Sequence, residues 1–579
     1  MPVDLHWMRL LPMSNLSSVA VAACVCCGGL SQALAKNVIP VDAGSLQQQI
    51  ERYQPLRLPR IVSPEASVGR PITAPEGAPV VLVSRFVFKG NTLLSESQLN
   101  QIVSGQIGVP LSFNALEALV AQVAQAYRVQ GWVVRAFLPE QDIIDGLVEI
   151  QIVEGKLGLI VIEGDLSSSL SESDLKRIIY AQQAEGGGLN SFSLDRGLLI
   201  ADDISGANVS AKMMEDEQDA QTNLLLQVSK RPWLNSNVGL DNSGSSSTGS
   251  NRASAMVNFN NVGLSGGVLS TQLAKTEGTR YARLGFTVPL GVQGLKLGVN
   301  LSQMDYQVLN VSSDLEALGT SKTKGVDLTY PLRRSRGQNV YATLAVDDKA
   351  FTNYAAGMLA SDYGTRALSF GLLGNRLDDW GFAGGANSWS LTYGSGFLNL
   401  AGSPNEDSLA KDANPGGGYR KLRYSVGREQ FLNSNWSLYG SFSGQWANRN
   451  LDSSEKIVLG GNNGIRAYGP SEAGGANGQI LNMEARWRYS QALALSAFYD
   501  FGCIQINVSN DYSGAPAVND YCLKGGGLAA AWTSDAGASF KVIWARRAGV
   551  NPNANIETGQ DQDGSLVLNR FWLSASMVF

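Results

Sequence analysis

Histidine is almost missing from this chain: there is one, His6, in 579 residues. Charged residues are scarce too, at 16%, and both signs are mixed to a net charge of -5. That balance gives no nucleic-acid footprint. Beyond the N-terminus no run of about 18 apolar residues occurs, so helical membrane spans are not expected. Cysteine is sparse, with 5 in all, and three of these crowd into the first residues. Those residues read as a targeting segment. Arg9 precedes an apolar core from Leu16 to Leu30, which Gly28 and Gly29 interrupt, and Ala33-Leu34-Ala35 offers a small-x-small cleavage pattern before Lys36. Val21-Ala22-Ala23-Cys24 also resembles a lipoprotein cleavage box, but the polar, Pro-rich stretch beyond favours cleavage after residue 35, which would remove His6, Cys24, Cys26 and Cys27 and leave Cys503 and Cys522. In an oxidising compartment those two can pair. A mature chain without histidine has no Ser-His or Cys-His mechanism and no His-ligated metal site, which argues against most secreted hydrolases. No catalytic residue, metal or cofactor is expected.

What the chain does have is glycine, 64 residues of it. The densest stretch is Gly460-Gly461-Asn462-Asn463-Gly464-Ile465-Arg466-Ala467-Tyr468-Gly469-Pro470. Glycine permits close backbone approach, so this reads as a long loop folded tightly against something, with one arginine near its centre.

Taken in order, residues 36–79 hold a short polar helix (about 44–53) and a linker punctuated by Pro55, Pro59, Pro64, Pro71, Pro75 and Pro79. Residues 80–156 read as strand, two helices, then two strands. Ser112 is a candidate N-cap, Leu116, Leu119, Val120, Val123 and Tyr127 share a face, and Gly131 is the stop. Residues 157–231 repeat the unit, which points to a tandem interaction arm whose sheet edges can accept an extended strand. Residues 232–579 change texture to alternating segments between Gly/Asn/Asp/Ser turns. About sixteen strands of period 2, with no helices between them, are the signature of a transmembrane β-barrel. The final strand carries Phe571, Leu573, Met577 and Phe579 on one face and ends on that aromatic.

Strand parity gives the loop a partner. In the strand after it, Leu481, Met483, Ala485, Trp487 and Tyr489 share a lipid-facing side, which turns Asn482, Glu484, Arg486 and Arg488 to the lumen. In the next, Leu493 to Phe501 alternate outward and force Phe498, Asp500 and Gly502 inward. Arg466 on a loop folded into the pore can then pair with Asp500, for ~1–3 kcal/mol in a wet lumen.

These residues resemble the two-partner secretion transporters (TpsB) of the haemolysin activation/secretion family, within the superfamily of the outer-membrane assembly machinery. The family's loop signature V-R-G-Y/F is matched by Ile465-Arg466-Ala467-Tyr468 with two departures, isoleucine for valine and alanine for glycine. Its partner signature F-x-D-x-G is intact as Phe498-Tyr499-Asp500-Phe501-Gly502. Pro139-Glu140-Gln141, Gly146-Leu147-Val148 and Val153-Glu154-Gly155 match the pattern of its first POTRA domain. The resemblance implies a mostly β chain, a sixteen-stranded antiparallel barrel behind two small α+β POTRA domains and an N-terminal plug helix. It implies an outer-membrane translocator in a Gram-negative cell, with the POTRA domains in the periplasm. The expected partners are a large secreted β-helical exoprotein with an N-terminal secretion domain, outer-membrane lipids and the barrel assembly machinery. A barrel-assembly factor is the alternative. With no G-x-x-x-x-G-K-[ST] loop in the chain, the client's folding outside would supply the energy. Ala467 raises one question, since a Cβ disfavours positive φ at the loop tip.

Overall fold

The computed structural model describes residues 42–51, 80–166, 171–204, 207–215, 221–264, 266–309, 316–404, 413 and 415–579. The targeting segment and the proline-rich linker lie outside the described residues.

Two small α+β units come first. In the earlier one, Leu147–Glu154 is the central strand, parallel to Arg85–Lys89 and antiparallel to Val134–Phe137. Its helices are fixed by local chemistry. Ser95 opens Glu96–Val103 in a capping box with Gln98, and the Ser112 hydroxyl accepts the Ala115 N–H to start Phe113–Val129. Leu116, Leu119, Val120, Val123 and Tyr127 turn to the sheet as their spacing predicts, and Gly131 ends the run at φ +87°. A two-stranded ribbon, Val80–Leu82 with Pro110–Ser112, adds to the expected order.

The second unit repeats the topology, with Gln221–Lys230 between parallel Lys156–Gly164 and antiparallel Ala207–Glu215. Asn190 joins the two units. Its side chain caps Ser191–Asp202 through the Phe192 and Ser193 N–H groups and donates to the Gln130 carbonyl at 2.9 Å. Backbone bonds Val133 N–H to Leu189 O (2.9 Å) and Leu189 N–H to Gly155 O (2.7 Å) complete a fixed elbow.

Sixteen antiparallel strands then close into a barrel, from Leu234–Asp241 to Asn569–Val578. Closure pairs the last strand with the first over five positions, Ser574↔Asp241 to Val578↔Asn237. The first strand follows directly on the second unit, so odd-numbered strands run away from the arm and the loops after them gather at the far mouth. Strand length is uneven, 8 residues in the first strand and 21 in Met358–Asp378. The second unit is clamped to the near mouth. Arg334 reaches Asp203 with two bonds of 2.8 and 2.9 Å, and Arg336 meets Asp195 at 2.7 Å.

The N-terminal helix, Ala43–Glu51, lies inside the barrel. Ala43 and Leu46 pack against inward-facing Tyr281, Met304, Tyr306, Phe351 and Tyr363. Polar contacts do the rest: Ala43 N–H to Asn353 Oδ1 at 2.9 Å, Ser453 Oγ to Asp42 at 2.8 Å, and Gln47 to Thr323.

Candidate functional site

The glycine-rich stretch belongs to residues 448–476, which join the eleventh and twelfth barrel strands, Trp436–Ala447 and Asn477–Arg488. The segment leaves the far mouth and folds back into the barrel as a hairpin, with Ile457 and Val458 paired to Gly475 and Gly474. Its glycines serve close approach. A Cβ on Gly460 would lie 2.0 Å from the Gly469 carbonyl oxygen, and one on Gly464 2.0 Å from that of Leu459. Of the tip glycines only Gly461 needs positive φ, at +107°.

Arg466 sits at the tip, 5% exposed, against a fully buried Asp500. The contact is bidentate, Nε to Oδ2 at 2.9 Å and NH2 to Oδ1 at 2.7 Å, and the Arg466 backbone N–H adds a third bond at 3.0 Å. NH1 of the same guanidinium pairs with Glu484, whose other oxygen accepts from Arg486 at 2.8 Å. The guanidinium carbon stands 3.5 Å from the centre of the Phe498 ring, a cation–π stack. Asn482 bridges Asp500 Oδ1 (2.7 Å) and the Gly464 carbonyl (2.9 Å). This corrects the wet-lumen expectation. Asp500 is fully buried and Glu484 half-buried, and removing one member of a buried pair such as Arg466–Asp500 costs about 3–5 kcal/mol.

Ala467 also departs from expectation. It is absent from the residues with positive φ, so its Cβ causes no backbone strain. Room is made on the wall instead: a Cβ on Gly525 would lie 2.5 Å from the Ala467 methyl. Gly502 does the same for Ile465, whose Cδ1 would be 3.0 Å from an added Cβ. Ile465 and Tyr468 are fully buried, and the Tyr468 ring lies under Arg547 at 4.5 Å. One contributor escaped the sequence reading. Trp572 is buried and its indole N–H donates to the Arg466 carbonyl at 2.8 Å. Its position between outward-facing Phe571 and Leu573 carried that signal.

The other sequence candidates serve different ends. Glu154 accepts the Thr92 and Leu93 N–H groups at 2.7 and 2.8 Å. Gln141 exchanges two hydrogen bonds with the Glu149 backbone (2.7 and 2.8 Å). At Gly146, φ is +72° and a Cβ would strike the Leu82 carbonyl, while Gly155 sits in the elbow. Pro139 is half-buried and Glu140 exposed. Phe571, Leu573, Met577 and Phe579 face outward. Cys503 and Cys522 form a disulfide between directly opposed strand positions.

Known proteins resemble this chain in sequence and fold. Residues 220–525 match the family model described as haemolysin secretion/activation protein ShlB/FhaC/HecB, and residues 81–155 match the ShlB-type POTRA domain. The heme/hemopexin transporter protein HuxB of Haemophilus influenzae is 24% identical over 86% of this chain and 88% of its own length. The outer membrane transporter CdiB of Escherichia coli is 24% identical over 80% of this chain and 79% of its own. Among solved structures, CdiB from Escherichia coli superposes with a TM-score of 0.69 at 20% identity, covering 93% of this chain and 96% of that one. BamA from Haemophilus ducreyi reaches 0.51 at 16% identity, over 86% and 100%.

Proposed function

We propose, from the premise that the chain belongs to the haemolysin secretion/activation family ShlB/FhaC/HecB, that the Arg466 loop is the gate of its pore. The family is one of transporters, and the chain is an outer-membrane translocator of two-partner secretion, with a barrel in the membrane and POTRA domains in the periplasm. An exoprotein bound in the periplasm leaves through the barrel.

The finer reading concerns how passage is controlled. The buried Arg466–Asp500 pair is the observation that carries it: a charge-assisted, bidentate contact holds a re-entrant loop across the lumen. The helix Ala43–Glu51 is the resting plug, since it occupies lumen space that a client needs. The client is a large β-helical exoprotein with an N-terminal secretion domain. Its extended segment adds to a free sheet edge of the tandem units, Arg85–Lys89 or Val134–Phe137 in the first and Lys156–Gly164 or Ala207–Glu215 in the second. Passage is driven by folding outside, which acts as a ratchet.

The test is secretion by Arg466→Ala and Asp500→Ala. Both variants should insert as folded barrels and lose export of the co-expressed exoprotein. Undiminished export by both would refute the gate.

A further inference from the structure

Beyond Arg466, the loop meets a second set of buried charges. Residues 548–568 form the far-mouth loop between the last two strands, Ala538–Arg547 and Asn569–Val578. On the returning limb of the pore loop, Glu472 is fully buried, and both its oxygens are taken by that neighbour. Oε2 accepts the Gln562 backbone N–H at 3.0 Å, and Oε1 accepts Asn551 Nδ2 at 2.8 Å. The contact is reciprocal, for the Ala473 N–H returns a bond to Gln562 Oε1 at 3.3 Å. Gly469 completes it, since a Cβ there would lie 2.3 Å from Asp563 Oδ2.

Glu472, Asp561 and Asp563 bring three carboxylates within 4.8 Å. The positive charge is already present. Arg547 NH1 bonds Asp561 Oδ1 at 3.0 Å, and Arg570 NH2 bonds Asp563 Oδ2 at 2.9 Å. Asn551 Nδ2 reaches Asp561 Oδ1 as well, at 2.9 Å. The three carboxylates are thus held by protein groups, Arg547, Arg570 and Asn551 among them. Arg547 belongs to both sites, because the same guanidinium stacks on Tyr468 next to the gate.

We propose that Glu472 is a positioning residue that clasps the pore loop to residues 548–568, so that the two loops open as one body. The inference rests on the gate reading, and it adds a second fastening that must part before Arg466 can leave Asp500. The outer loop is thereby a lever on the gate: displacing residues 548–568 from outside pulls on residues 460–469 through Glu472 and Arg547. A lone Arg466–Asp500 latch would feel no such load.

Hydrogen–deuterium exchange on the full chain in bilayers tests this without reference to export. In Glu472→Ala, amides of residues 460–469 should exchange about tenfold faster, the effect of one buried charged acceptor lost. Residues 548–568 should accelerate in parallel. Glu472→Gln, which keeps one acceptor oxygen and the side-chain shape but turns an amide NH2 on the second donor, should restore part of the protection. Acceleration confined to 548–568, with 460–469 unchanged, would overturn the clasp while leaving the gate untouched. If Glu472→Ala fails to insert, Asn551→Ala removes the Oε1 donor together with its bond to Asp561, and the exchange of residues 460–469 decides the same question. Loss of export by Arg466→Ala is a separate readout, so failure of the gate and failure of the clasp are distinguishable.

Discussion

Among the described residues the barrel lumen holds two segments, the pore loop and the N-terminal helix, and they are held by different chemistry. The loop tip is fixed by ionic bonds inside protein, Arg466 to Asp500 and to Glu484, with Phe498 beneath and Trp572 behind. The helix rests on Leu46, Ala43 and mostly neutral hydrogen bonds through glutamine and asparagine. Buried charge pairs are costly to break from one side, while single neutral hydrogen bonds contribute about 0.5–1.5 kcal/mol each. On the proposed reading, the loop is the segment that stays until triggered and the helix the one that is displaced.

The largest expected effect falls on the loop. Asp500→Ala leaves the Arg466 guanidinium with Glu484 but without its bidentate partner and should weaken loop docking by about 3 kcal/mol, the lower end for a broken buried pair. Single-channel recordings should then show frequent large openings, and a trace as quiet as that of the unaltered protein would erase the contrast. Next comes Gly525→Ala, whose new methyl meets Ala467 at 2.5 Å and should cost about 1–3 kcal/mol by overpacking. Adding Ala467→Gly should recover part of the closed state, since the Arg546 carbonyl still stands 2.9 Å from the new methyl, and a double variant no better than the single one would remove Ala467 from the account. Trp572→Phe removes the N–H donor to the Arg466 carbonyl and should cost about 1 kcal/mol, read as a modest rise in open probability. The smallest change is expected for the helix. Asn353→Ala removes the acceptor for the Ala43 N–H and should shift helix occupancy about fivefold, for roughly 1 kcal/mol. Protease access to residues 42–51 measures it. A helix that resists this substitution as firmly as the loop resists Asp500→Ala would break the comparison.

Much of this was legible in the sequence because a barrel strand has a period of 2. Parity alone turned Phe498, Asp500 and Glu484 inward, and the same rule would have turned Trp572 inward. Strand length was harder to read. The apolar alternation that marks a strand belongs to its membrane-facing part, whereas Ala317–Arg334 continues past it through exposed Lys322 and Lys324. Ala467 misled because local backbone preference ignores what the opposite wall can yield, and Gly525 yields it. Glu472 and Gln562 were invisible for a further reason: a contact between two irregular loops has no period, so spacing carries no trace of it.

The disulfide between Cys503 and Cys522 acquires meaning from the same period. It joins facing positions on the strand that carries Asp500 and on the strand that carries Gly525. A slip of one residue in that pairing would reverse every side chain, sending Asp500 into the hydrocarbon and a tyrosine into the pore. Oxidation can occur only when the two thiols face each other, and afterwards no slip is open to these strands. The bond is a proofreading seal: it certifies, once, that the carboxylate awaiting the arginine is on the inner side of the wall.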